Sequence, residues 1–252
     1  MISIFYDLFI RILNLLLFIS SFINKKNKKI LDGRKNTIKY IKKNIRSDEK
    51  LIWVHVSSVG EFEQAKPIID IIHKIKSHKI LVTYFSSSAE NEVKKYKKIN
   101  YNFYLLSDKR SNTKKLFKLL KPTLIIIIKY EFWINLINTA KNKSIPVISV
   151  SSVFRPRQIY FYNIGFFLRN ALQNINLFLV QDEKSKILLN KININNVKVI
   201  GDTRFDRVLD IYNNFKKINI IENFINNKNT VVIGSSWRSD IKILKKEIGR
   251  DL

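Results

Sequence analysis

Two glutamates stand in comparable settings in this sequence. Glu61 closes the run Ser57-Ser58-Val59-Gly60-Glu61, and Glu131 lies within Lys129-Tyr130-Glu131-Phe132-Trp133. In the first run, two hydroxyls and a glycine let side chains and backbone approach a polar ligand, and the carboxylate falls where a helix is expected to start. Such a group can serve as a general base on a ligand hydroxyl, or it can be a first-turn glutamate favoured by the helix dipole. Glu131 is flanked by aromatic residues, which suits a polyhydroxylated ligand stacked on a ring and hydrogen-bonded to a carboxylate. The structural alternative is a capping glutamate at a hydrophobic helix start.

Further along, Ser151-Ser152-Val153-Phe154-Arg155-Pro156-Arg157 places Arg155 and Arg157 in one loop, suited to bidentate pairing with phosphate or carboxylate. Gly201-Asp202-Thr203-Arg204 offers Arg204, and Gly234-Ser235-Ser236 has the form of a short turn whose N–H groups could cradle a phosphate. Lysine and P-loop spacing are absent from that turn. His55, His73 and His78 are scattered without metal-ligand spacing and read as structural or solvated, so no metal is expected. Neither a GxSxG elbow nor a GxGxxG fingerprint occurs.

The elements that must position these residues alternate regularly. Strands are expected at 51–56 (LIWVHV), 79–85, 101–106, 123–129 (TLIIIIK), 146–150, 177–181 and 197–201, with helices over 61–76, 87–98, 112–120, 132–141, 159–174 and 183–190. Nearly pure β-branched runs such as 123–129 belong to strands buried on both faces. Alternation of this kind gives a doubly wound parallel α/β sheet covered by helices on both sides. In such sheets ligands bind at the carboxyl ends of the strands, where every candidate loop above lies. After Gly201 the rhythm breaks: a polar stretch holds one expected helix at 208–217, followed over 230–237 by an expected strand running into a short polar turn, and by a helix at 239–248.

The 252 residues carry 46 Lys+Arg against 20 Asp+Glu, a formal net charge of +26, with no cysteine. Absence of cysteine excludes disulfides, thiolate metal sites and cysteine nucleophiles. The excess charge is spread along an Ile-, Lys- and Asn-rich chain with no recognition motif, so no nucleic-acid partner is expected. A basic RNA- or membrane-binding fragment without chemistry remains the alternative that the charge alone would explain. The first 24 residues differ from the rest. From Ile12 to Asn24 there is no charge, while between Asn24 and Lys50 eleven Lys/Arg face three Asp/Glu. This reads as a membrane-anchor helix at 1–24 with a basic juxtamembrane segment at 25–50 on the cytoplasmic side. It reaches spanning length only if Asp7 and Arg11 sit at the membrane–water interface. An amphipathic helix packed on the domain is the alternative.

Taken together, HVSSVGEFEQAKPII, TYFSSSAE, KPTLIIIIKYEFW, SSVFRPRQ, GDTRFD and IGSSW come in an order and spacing that resembles the 3-deoxy-D-manno-octulosonic acid (Kdo) transferases. The resemblance runs from about Phe5 to about Lys245 and includes GRK at 33–35. It implies a GT-B fold, with two Rossmann-like domains facing a cleft. The activity it implies is transfer of Kdo from the donor substrate CMP-Kdo to a lipid A precursor at the cytoplasmic membrane, without a cofactor. Glu61 is then the implied general base, with Ser57, Ser58, Gly60, Glu131, Arg155 and Arg157 on the acceptor side. Arg204, Gly234, Ser235 and Ser236 are the candidates for the departing phosphate. The expected organisation is an acceptor-binding domain at 51–205, a linker at 206–229 and the truncated start of a donor domain at 230–252. Two departures stand out. Ile134-Asn135 follows Glu-x-Trp where the family usually has Pro-Asn, and the family's Gly-Gly-His-Asn type motif does not occur.

Overall fold

A computed structural model describes residues 2–215, 217–226 and 230–247. The chain divides into two compact units, Met1–Asp210 and Ile211–Leu252.

The first unit is built on seven parallel strands: β1 Leu51–Val56, β2 Lys79–Tyr84, β3 Tyr101–Tyr104, β4 Leu124–Ile128, β5 Val147–Ser152, β6 Leu177–Val180 and β7 Val197–Val199. Their order across the sheet is β3-β2-β1-β4-β5-β6-β7, so the direction of winding reverses between β1 and β4. All six residues of β1 are buried, as is Ile125–Ile128 of β4. Each strand thus presents apolar side chains to helices on both faces, which explains their unbroken rather than alternating hydrophobicity. The two apolar cores lie on opposite sides of the sheet, one around Trp53, Phe117 and Phe178, the other around Phe62, Ile69 and Tyr84.

The seven strands expected between 51 and 201 all form, one or two residues shorter at several ends. The connecting helices are α3 Val59–Ile75, α4 Ser87–Lys95, α5 Arg110–Leu120, α6 Ile134–Asn142, α7 Phe166–Leu172 and α8 Glu183–Asn190. The expected helix over 159–174 is instead two short 3₁₀ turns leading into α7. Gly165 is the reason for the tight packing there, since an added β-carbon would lie 1.8 Å from the Ile159 carbonyl oxygen.

The N-terminal segment departs from its reading as a spanning helix. It forms a helix, α1 (Ile2–Ser20), followed by α2 (Lys25–Asn44). Among the described residues no helix is long and apolar enough to cross a membrane. Asp7, which a spanning helix would hold at the interface, instead accepts a hydrogen bond from Asn135 Nδ2 (2.8 Å), and Tyr6 Oη donates to Asp108 (2.8 Å). Ile10 is buried, while Phe5, Leu8, Phe9, Ile12 and Leu15 remain exposed. The segment at 25–50 is ordered too: α2 buries Ile30, Thr37 and Ile41 and keeps its lysines outward. Gly33 lets α2 meet the sheet, because a β-carbon there would fall 2.1 Å from the Tyr104 ring.

Helix α9 (Arg204–Asn213) carries the boundary between the two units. The second unit holds α10 (Asn219–Ile225), within the stretch read as a linker, and α11 (Arg238–Glu247). Of the strand and short polar turn expected over 230–237, the strand does not form, and the turn does, at Gly234 and Ser235. An isolated apolar run has no neighbour to take its backbone N–H and C=O groups, and β character without pairing is not stable in water.

Candidate active site

The point where the winding reverses, between β1 and β4, brings the two glutamates together. Ser58 caps α3 with its hydroxyl, accepting from Glu61 N at 3.4 Å, and this sets Glu61 in the first turn. The Glu61 carboxylate folds back to accept from Ser57 N through Oε2. Opposite it, Lys129 ends β4 in the left-handed region (φ 62°) and Ser151 ends β5 likewise (φ 57°). Non-glycine residues pay about 1 kcal/mol or more for that conformation. Both lie on the carboxyl rim of the sheet, where they redirect the chain toward the loops that hold the candidate residues.

Burial governs the charge of the pair. Glu61 is 6% exposed. Loss of solvent raises its pKa to about 7; Glu131 adds to the rise, while the Ser57 and Ser58 N–H groups and Lys129 oppose it. Burial also raises Glu131. The helix N-terminus at α3 favours the ionised form of Glu61. Desolvation outweighs it, so the group titrates near neutral pH and is a better base than an ordinary carboxylate. The Ser57 hydroxyl is buried beside Glu131 yet closes no hydrogen bond of normal geometry with a described residue. A β-carbon added at Gly60 would meet nothing nearer than Ser58 Oγ at 4.0 Å, which leaves the approach to Glu61 open.

A buried relay supports the Glu131 loop. Trp133 Nε1 donates to His55 Nε2 (3.0 Å), and His55 Nδ1 lies 3.0 Å from Thr83 Oγ1, which also accepts from Trp53 Nε1 (2.7 Å). An indole N–H only donates, so Nε2 must accept, and the neutral imidazole carries its proton on Nδ1. Burial lowers the His55 pKa to about 4, consistent with the neutral ring. Phe85 stacks on Trp133 (5.8 Å), and Phe132 stacks on Phe154 of the next loop (5.9 Å). His55 was expected to be structural. Its structural role is to tie down the segment that bears Glu131.

The departure at 134–135 has a simple consequence. Asn135, the half of Pro-Asn that is present, makes the bonds: its N–H goes to Asp108 Oδ2 and its Nδ2 to the Asp108 carbonyl and Asp7. Ile134 sits at the first position of α6, where proline's missing N–H would cost nothing. Asp108 accepts from Tyr6, Thr113 and the N–H groups of Asn135 and Leu136, and burial still raises its pKa to about 7. No sequence signal singled Asp108 out, because a lone aspartate after an edge strand has no motif.

The remaining candidates are not gathered here. Arg155 and Arg157 are exposed, and neither guanidinium forms an ion pair among the described residues. Arg155 lines a separate depression with Phe154, Asp182 and Lys184. Arg204 is paired with Asp202 (Nε to Oδ2, 2.7 Å), which also accepts from Gln64 Nε2 (2.8 Å). Thr203 Oγ1 donates to the Gln64 carbonyl, so the loop after β7 is clasped onto α3. Gly234, Ser235 and Ser236 belong to the second unit, exposed. No group of His, Asp or Glu able to hold a metal ion occurs among the described residues.

The family profile described as 3-Deoxy-D-manno-octulosonic-acid transferase (kdotransferase), N-terminal, matches residues 32–207. This chain belongs to that family. It is 32% identical over 177 residues to a bifunctional glycosyltransferase/methyltransferase of Fusobacterium nucleatum, covering 68% of this chain and 28% of that protein. Against a 3-deoxy-D-manno-octulosonic acid transferase of Rickettsia bellii it is 29% identical over 214 residues, covering 81% of this chain and 51% of the other. The chain thus spans between about a quarter and a half of these relatives. Among solved structures, UDP-GlcNAc 2-epimerase from Neisseria meningitidis superposes with a TM-score of 0.52 at 17% identity, over 71% of this chain and 53% of that one. That likeness concerns the Rossmann-like fold alone.

Proposed function

We propose that this chain acts in transfer of Kdo from CMP-Kdo to the sugar hydroxyl of a lipid A precursor, with Glu61 as the general base. The supporting observation is the pair of glutamates at the reversal between β1 and β4, Glu61 buried and Glu131 half-buried, inside the segment that matches the family. As the acceptor oxygen attacks the anomeric carbon of Kdo, its proton passes to Glu61 and the CMP phosphate departs with the bonding electrons. Glu131 and the unbonded Ser57 hydroxyl lie where the acceptor's other hydroxyls would be held. The departing phosphate requires N–H donors or positive charge. Arg204 is the candidate within the first unit, and Gly234, Ser235 and Ser236 are candidates in the second. Arg155 and Arg157, unpaired, are offered to acceptor phosphates. The exposed apolar residues of α1 beside the lysine-bearing α2 suit the cytoplasmic membrane surface, where apolar burial and attraction to anionic lipid add.

The test is direct. The chain is incubated with CMP-Kdo and a tetraacylated lipid A precursor, and the lipid is analysed by mass spectrometry for an added Kdo. Product formed by the parent and lost in Glu61→Gln supports the reading. Product formed only when the second half of a relative is supplied would assign the donor site outside these residues. Product in neither case overturns it.

A further inference from the structure

A groove of about 650 Å³ runs between α1 and the carboxyl rim of the sheet, walled by Ile10, Leu13, Leu16 and Leu17 on one side and by Phe85 and Trp133 on the other. Its lining follows α1 from Ile10 to Ser20, about 15 Å of helix, comparable to an extended alkyl chain of a dozen carbons. Trp133, at its inner end, is two residues from Glu131 and is held by His55. The groove also contains a cation without a carboxylate. Arg34 Nε donates to the Leu105 carbonyl (2.9 Å), one terminal nitrogen lies 3.4 Å from Asn14 Oδ1, and the guanidinium lies over the Phe85 ring at 4.9 Å. Among the described residues no Asp or Glu pairs with it, in a chain where Lys29, Lys35, Arg110 and Arg207 all find one. Asp108, the acid that also lines the groove, has both oxygens committed to Tyr6, Thr113 and the start of α6.

A mostly desolvated guanidinium with free N–H groups calls for an anion, and the apolar walls beside it call for hydrocarbon. We propose that this groove binds one alkyl chain of a phosphorylated amphiphile, with the phosphate on Arg34 and the chain along α1, so that the head group is presented to the Glu61 and Glu131 rim. The inference rests on the reading that the acceptor is a phosphorylated lipid and supplies the subsite for it. Its readout is binding, so failed transfer and a failed subsite are distinguishable. Arg34 is a different residue from the exposed arginines of the β5 loop, and the fold half-buries it.

Isothermal titration of the full chain with dodecyl phosphate, below its critical micelle concentration, provides the test. Inorganic phosphate and dodecyl maltoside serve as head-only and chain-only probes. Dodecyl phosphate should bind at least tenfold more tightly than either. Arg34→Gln should weaken dodecyl phosphate about tenfold or more, the worth of a charge-assisted hydrogen bond, and leave dodecyl maltoside within twofold; Arg34→Lys should recover part of the loss. Leu13→Ser, inside the groove, should weaken both alkyl probes severalfold, while Leu15→Ser, exposed on the same helix outside the lining, should weaken neither. Equal losses for the two serine variants would mean general adsorption to α1 and would overturn the proposal. So would an Arg34→Gln effect that is the same for charged and neutral probes, or absent from both. If Arg34→Gln does not fold, the serine pair and Arg34→Lys decide. Self-association abolished equally by both serine variants would assign the face to a second copy of the chain.

Discussion

The loops after β1 and β4 and the loop after β5 lie on the same rim of the same sheet, yet they carry their charges in opposite ways. Glu61 is buried and Glu131 half-buried, the charge of the second raises the pKa of the first, and both are supported from behind by Trp133, His55 and Thr83. Arg155 and Arg157 stand in solvent without an ionic partner among the described residues. Strand-end position tells which residues can reach a ligand; burial tells which of them the protein has tuned. In the glutamate pair, each pKa is raised and the local backbone is held in place. The exposed pair retains the ordinary properties of arginine and contributes attraction that salt screens.

The sharpest way to break this contrast is Glu61→Gln. Removing the base should lower turnover by about 10²–10⁴-fold, with acceptor affinity nearly unchanged. In the parent, kcat/KM should rise with pH through about 7 as Glu61 loses its proton, and that limb should vanish in the variant. Turnover within a few-fold of the parent would move the base to Glu131.

Stability should report the same burial with a defined sign. A carboxyl group whose folded pKa is raised stabilises the fold while protonated, and that contribution is lost as pH rises from the unfolded value toward the folded one. Denaturant unfolding should therefore show stability declining between about pH 4 and 7. Glu61 contributes about 3 kcal/mol of the decline, and Asp108 acts in the same direction. Glu61→Gln should flatten the profile; an unchanged slope would mean that the carboxylate is solvated.

The support behind the pair can be tested separately. Trp133→Phe leaves His55 Nε2 buried without a donor and should cost about 1–3 kcal/mol, along with part of the turnover. A loss of stability with turnover intact would separate the relay from the site. Smallest of all, Arg155→Glu should weaken binding of acceptor several-fold at low salt and little at high salt, beyond the effect of reversing the remote Lys95. Equal effects at the two positions would reduce the β5 loop to general charge attraction.

Much of this was legible in the sequence for a physical reason. Continuous runs such as LIIII allow one interpretation, a strand covered on both faces, and their alternation with helices fixes the rim on which Glu61 and Glu131 meet. The pairing partners of polar residues were not legible. Nothing local tells that Asn135 reaches Asp7, 128 positions away, or that Arg34 is left without an acid among the described residues. The strand expected before the turn at Gly234 failed for the complementary reason: strand propensity was present, but among the described residues no strand pairs with it. The apolar start of the chain was read as an anchor because hydropathy cannot show that one face is already hydrogen-bonded to the protein.

That last attachment has a geometric consequence. A free amphipathic helix can roll about its own axis on whatever surface it meets. Pinned through Tyr6 and Asp7 to Asp108 and Asn135, α1 cannot roll without breaking contacts at the start of α6, the helix that follows Glu131 and Trp133. Any apolar phase that takes up its outer row of Leu8, Ile12 and Leu15 therefore takes up the whole first unit at one tilt. On such a phase the helix would work as a depth gauge, setting the height of the strand ends above it and turning a search in three dimensions into a scan across a plane.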